Sequence, residues 1–121
     1  MIHKEMHGWV GADSDTGTNT QIHNSPWSIL VDRDSIVRDG QSVTVWWKLT
    51  ASSTDGQHLD WLQQIAFDCH SHQYRRLKSG SRLNASQSYK WADVPEKVFA
   101  IEPDDPWDHV FAAVCLNKWK N

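Results

Sequence analysis

The stretch Gln64 to His72, QIAFDCHSH, does most to limit what this chain can fold into. Side chains along a strand point alternately to two faces. As a strand, this stretch puts Ile65, Phe67 and Cys69 on one face and Asp68, His70 and His72 on the other. The first face should pack inward and the second should meet water. Cys69 is one of only two cysteines, and the other, Cys115, lies in the last apolar segment. A cysteine on an inward face is either a small buried hydrophobe or half of a disulfide. Alternation alone leaves both open.

The same period recurs upstream. After Pro26, Trp27, Ile29 and Val31 alternate with Ser28, Leu30 and Asp32. Asp32 to Asp34 is polar and turn-like, and Ser35 to Arg38 follows as a short second strand. Asp39-Gly40 predicts a hairpin turn, because glycine supplies the positive φ that tight hairpins need. Ser42 to Thr50, SVTVWWKLT, is the clearest strand. Val43, Val45, Trp47 and Leu49 line one of its faces, and Thr44, Trp46 and Lys48 the other. Trp46, on an otherwise polar face, is a candidate partner contact. Ala51 to His58 should be a loop, Lys78 to Ser81 a turn, and Arg82 to Trp91 a weaker strand.

The C-terminal segment changes period. Trp107, Val110, Phe111, Val114 and Cys115 fall at helical spacing, an amphipathic stripe. Asp104, Asp105 and Pro106 suit a helix start, and Lys118 and Lys120 suit the negative end of a helix over Trp107 to Trp119. Cys115 then lies on the buried face of a terminal helix. A helix packed on a sheet would bring that face against the one carrying Cys69.

Met1 to Asn24 is rich in Gly, Ser, Thr, Asn, Asp and His, with no apolar period. It reads as a flexible arm, residues 1–24, ahead of a single domain over 25–121. His3, His7 and His23 should be solvated there. At 121 residues the chain is long enough for one domain with a real core. Its net charge of −3 and the lack of a large basic patch argue against a nucleic-acid partner. No run reaches the length of a membrane-spanning helix, about 20 apolar residues. Met1 to Gln21 lacks the apolar core of a secretory signal. The chain is therefore either cytosolic with its native start or a mature exported form carrying an added Met1. Eight tryptophans stand out, and tryptophan serves both cores and contact surfaces.

Chemistry is sparse. Asp68, His70 and His72 on one strand face are candidate metal ligands, with His58 or His109 as a further donor. An exposed polar face is the plainer account. Cys69 and His70 cannot serve as nucleophile and base, since strand neighbours point to opposite faces. No nucleophile elbow, phosphate-cradling glycine loop or zinc-protease helix occurs. No cofactor is expected, and the chain is not expected to be an enzyme. Arg75 and Arg76 head a small basic cluster with Lys78 and Arg82, and with Trp46 they are the candidate partner-binding residues. Such a cluster is more often a solvated face.

The order of the pieces resembles the surface-adhesin protein E-like family of small bacterial envelope proteins. The resemblance runs from about Trp27 to Cys115. It is carried by WSILVDRDSI, then VTVWWKL, then FDCHSHQYR, then a Pro-led segment closing in VFAAVC. The N-terminal arm has no counterpart, and His70 stands where a basic residue is more usual. The resemblance implies an antiparallel sheet with a C-terminal helix held on it by a Cys69–Cys115 disulfide. It implies export to the periplasm, outer membrane or cell surface, with a signal peptide removed. It also implies binding to a host matrix protein or an envelope component. The fold expected is thus α+β, an antiparallel sheet of about five or six strands with the helix packed on it. An exposed strand edge invites pairing, so a homodimer is among the expected states. Two other functions are consistent with the residues: a metal-binding envelope protein using the histidine face, and a cytosolic domain of another role.

Overall fold

A computed structural model describes residues 9–14, 27–52, 56–84, 86–103 and 105–119. Among these residues seven strands form one antiparallel sheet: β1 (Trp9–Ser14), β2 (Trp27–Asp39), β3 (Ser42–Ser52), β4 (His58–Asp68), β5 (Gln73–Arg82), β6 (Lys90–Ala92) and β7 (Val98–Ala100). From β1 to β5 each strand pairs with the next in sequence. β6 and β7 share the far side of β5, pairing with Ser79–Ser81 and Gln73–Arg75 respectively. One helix among the described residues, α1 (Pro106–Leu116), follows β7. This is the α+β architecture expected, with six strand positions across the sheet.

The core follows from the alternation. In register, Ile29 faces Leu49, Val31 faces Trp47, Val43 faces Phe67 and Val45 faces Ile65. All of these but Leu49 are buried, and Leu49 packs against them half-buried. Val110, Phe111, Ala113 and Val114 of α1 cover them, with Phe111 edge-on to Phe67. One face of the sheet is therefore sealed by the helix. Cys69 and Cys115 are bonded, with Cα atoms 5.5 Å apart, as the resemblance implied. The bond closes 46 residues of chain. In the chain-entropy account such a loop is worth about 4 kcal/mol.

Several elements differ from their sequence expectations for physical reasons. β2 is one long strand rather than two. The register slips between Asp32 and Val37, and side chains replace the missing ladder bonds. Asp34 N–H donates to Asp32 Oδ1, Ser35 Oγ donates to the Asp32 carbonyl, and Trp46 N–H donates to Ser35 Oγ at 2.9 Å. The expected loop over 51–58 is shorter, since β3 runs to Ser52 and β4 starts at His58. Lys78 to Ser81 is not a turn but part of β5, because pairing with β4, and of Ser79 to Ser81 with β6 as well, outweighs local turn preference. Of the weaker strand over 82–91, residues 83–84 and 86–89 lie outside any strand, and β6 begins at Lys90. α1 stops at Leu116, with Asn117 in the left-handed region at φ 58°, so no basic residue falls in its last turn.

The strand through Gln64 also ends early. β4 stops at Asp68, and Cys69 to His72 form the turn into β5, with His72 at φ 59°. Within the N-terminal segment read as an arm, Trp9–Ser14 pair with β2 as an edge strand. The remainder of that segment, with His3, His7 and His23, lies outside the described residues. Asp104 does too. Asp105 occupies the N-cap without a side-chain bond to the helix; its Oδ2 instead accepts the Glu102 N–H.

Candidate binding site on the open face of the sheet

The face away from α1 carries a groove of about 960 Å³. Register explains its lining. On that face Lys48 lies beside Leu62, Leu62 beside Gly80, and Gly80 beside Trp91. The neighbouring row is Asp32, Trp46, Gln64 and Lys78, with Trp9 paired to Asp32. Gly80 creates a flat place in the sheet, and the Trp91 indole lies on it. A Cβ at residue 80 would stand 2.7 Å from the Trp91 ring. This is the arrangement in which an aromatic covers a strand glycine. Trp91 remains 55% exposed.

The aromatics form one connected surface. Trp46 meets Trp91 edge-on with centroids 6.1 Å apart, and Tyr89 lies 5.7 Å from Trp91. Cations rest on two rings of the groove, Trp9 and Tyr89. Lys48 Nζ is 4.5 Å from the Trp9 centroid, and the Arg82 guanidinium is 4.3 Å from that of Tyr89, both within cation–π range. Burial pushes the Tyr89 hydroxyl above the usual phenol range, and the Arg82 charge offsets part of that. Tyr89 is then a neutral hydroxyl at any physiological pH.

Arg82 is held from below. Its Nε donates to Asp60 Oδ2 at 2.9 Å, and His58 Nε2 sits 2.9 Å from the other oxygen of that carboxylate. Asp60 is 3% exposed. A buried carboxylate needs such partners, since removing one strands the charge. Arg82 also reaches the Gln87 carbonyl, at a long 3.4 Å, so the residue held by Asp60 helps hold Gln87 against the groove. Lys78, in contrast, is exposed and makes no ion pair among the described residues.

The candidates from sequence are dispersed. Trp46 lines the groove, together with Lys78 and Arg82 of the basic cluster. Arg75 lies further along β5, beside a small cleft of about 170 Å³. Arg76 pairs with Ile65 on the helix-covered side, its guanidinium 5.3 Å from the Phe99 ring. Asp68, His70 and His72 do not share a face. Asp68 Oδ1 accepts the backbone N–H groups of His70 and Ser71 and so holds the β4–β5 turn. Those bonds, Ser71's foremost, keep the Asp68 carboxyl below the usual aspartate range. His72 turns to Asp108 of α1, at 3.4 Å, with its ring over Phe111. Among the described residues no three His, Cys, Asp or Glu side chains gather as metal ligands do.

Under the helix the sequence reading missed Gln63. It is fully buried. Its Oε1 accepts from Trp107 Nε1 at 3.1 Å, and its Nε2 donates to Ser79 Oγ, which also receives Trp61 Nε1. Trp47, Trp61 and Trp107 meet edge-to-face around it, with centroids 5.8 to 6.0 Å apart. These tryptophans are core. Among the tryptophans whose burial is described, the exposed one is Trp91, and it belongs to the groove.

No helix among the described residues is long and apolar enough to cross a membrane. No curated protein and no solved structure matches the chain. The match that it does give is to a family: the model of surface-adhesin protein E covers residues 18–116, every element from β2 to the last residue of α1, and the chain belongs to that family.

Proposed function

We propose that this chain is a non-catalytic, exported surface protein that binds a macromolecule through the open face of its sheet. The observation that carries the reading is the contrast between the two faces. One is sealed by α1 and a disulfide. The other presents Trp46, Tyr89 and Trp91 beside Lys48, Lys78 and Arg82. Soluble domains seldom leave large apolar rings together on their surface unless something covers them. Tryptophan, tyrosine and arginine are also the residues on which binding energy most often concentrates.

Export is supported by the Cys69–Cys115 bond, since disulfides persist in oxidising compartments. The family supports an adhesin-like role, with a host matrix protein or an envelope component as partner. The test is capture of the purified, oxidised chain on immobilised matrix glycoproteins and on cell-wall material. Saturable capture by at least one of these is expected. The double variant Trp46→Ala/Trp91→Ala should lose at least tenfold in affinity, as expected when anchoring aromatics are removed. Absence of capture on every surface would refute the reading.

A further inference from the structure

We infer that the groove on the open face is a subsite for an acidic polysaccharide, with sugar rings on the indole faces and acid groups on the lysines. The inference rests on the proposal that this face binds a macromolecule, and it names the chemistry recognised there.

Charge is the first argument. The molecule is net acidic, yet Lys48, Lys78 and Arg82 all border the groove. The carboxylate beneath them, Asp60, is buried and already taken up by Arg82 and His58. With Arg82 balanced by Asp60, Lys48 and Lys78 leave the lining of the groove positive, and a ligand carrying negative charge complements it.

Shape is the second. Trp91 lies flat on Gly80 and offers its outer face to solvent. Trp46 stands edge-on beside it. A pyranose ring presents a flat patch of C–H groups that fits an indole face, while its hydroxyls point outward. The exposed Ser86 and Ser88 on the rim provide hydroxyl partners for these. The volume, about 960 Å³, lies at the upper end of the range for ligand pockets, about 300–1,000 Å³. It suits a short run of sugars better than one.

Other anionic polymers fit less well. An acidic peptide binds most readily by adding a strand to a sheet edge. Here the floor of the groove belongs to β3, β4 and β5, and the edge strands that border it contribute little backbone: Trp9 of β1, and Trp91 and Ala92 of the three-residue β6. Single-stranded nucleic acid carries a phosphate at every nucleotide and calls for a cationic track with stacked rings. Of the three cations here, Arg82 is committed to Asp60.

The experiment is titration of the full oxidised chain, followed by tryptophan fluorescence and calorimetry. The probes are a sulfated glycosaminoglycan octasaccharide, an oligogalacturonate, a neutral maltooligosaccharide, poly-glutamate and oligo(dT). Binding of one or both acidic oligosaccharides, with little for the other probes, is expected. The two acidic arms tell sulfate from carboxylate recognition. Trp91→Ala should weaken this binding by about tenfold, a typical loss for one stacked aromatic. Lys78→Gln should weaken it and flatten its salt dependence, while Arg75→Gln, outside the groove, should leave it unchanged. Tighter binding of poly-glutamate or oligo(dT), or equal effects of all three variants, would overturn the inference. Capture by a matrix protein that persists with no binding of either acidic oligosaccharide would overturn the inference and leave the wider reading standing. Loss of both would remove the two together.

Discussion

Gly80 decides the shape of the groove with a single missing methyl group. An added Cβ would meet Trp91 Cε3 at 2.7 Å, so the indole must move. Because Trp91 is exposed on a short edge strand, the shift should cost little stability. Gly80→Ala is expected to change the near-ultraviolet circular dichroism and tryptophan emission while the melting temperature stays within a few degrees, a stability change under about 1 kcal/mol. It should also weaken partner binding. Gln63 is the opposite case. Replacing it with Leu leaves the part-buried Trp107 Nε1 without its acceptor, a loss of about 1–3 kcal/mol, to be read from urea unfolding of Gln63→Leu against wild type. Asp68 contributes through charge. Its folded-state pKa is lowered, so its stabilisation is complete above the unfolded carboxylate's range, about pH 4, and is lost as pH falls through the lower folded value. The difference in melting temperature between wild type and Asp68→Ala should therefore be constant from pH 7 to 5 and vanish in strong acid. A difference that grew with acid would contradict the turn-holding role.

The strands were legible where alternation met an independent signal. β3 and its hairpin, marked by VTVW and Asp39-Gly40, needed only local rules; Gly40 takes a φ of 63°. The apolar stripe of α1 identified its buried side for the same reason. Where long-range pairing overrode local preference, the sequence misled. Lys78 to Ser81 has turn residues, yet β4 and β6 hold it extended. Asp32 to Asp34 looks like a break, yet Ser35 bridges it. The end of β4 was misplaced because polar alternation through His72 continues past the point where Asp68 takes the turn's N–H groups. The disulfide joins that turn to α1 and so acts at this scale. Cys69→Ala/Cys115→Ala is expected to lose about 2–4 kcal/mol in urea unfolding. The helix should become the first element to lose amide-exchange protection, because its remaining hold is its apolar face with the Trp107–Gln63 hydrogen bond and the His72–Asp108 contact.

At the scale of the molecule, the two sides of one sheet do different work. The helix side stores stability, in the Trp47, Trp61 and Trp107 cluster and in the disulfide. The open side gathers rings and cations from β1, β3, β5, β6 and the loop before β6. Only Trp46 of that site was singled out as a contact by alternation. Trp91, Tyr89 and Lys48 were not, because they come together through a loop path and a glycine platform that no local pattern encodes. Gln63 did leave a trace, as the polar residue in phase with Trp61, Ile65 and Phe67. The central claim is that the open face, not the helix face, meets the partner. Hydroxyl-radical footprinting of the chain, free and bound to whichever matrix or cell-wall surface captures it, tests this most directly. Trp91, Tyr89 and Trp9 should lose reactivity on binding, while Leu116 and Trp119 keep theirs. Protection of Leu116 and Trp119 with Trp91 still fully reactive would contradict the account.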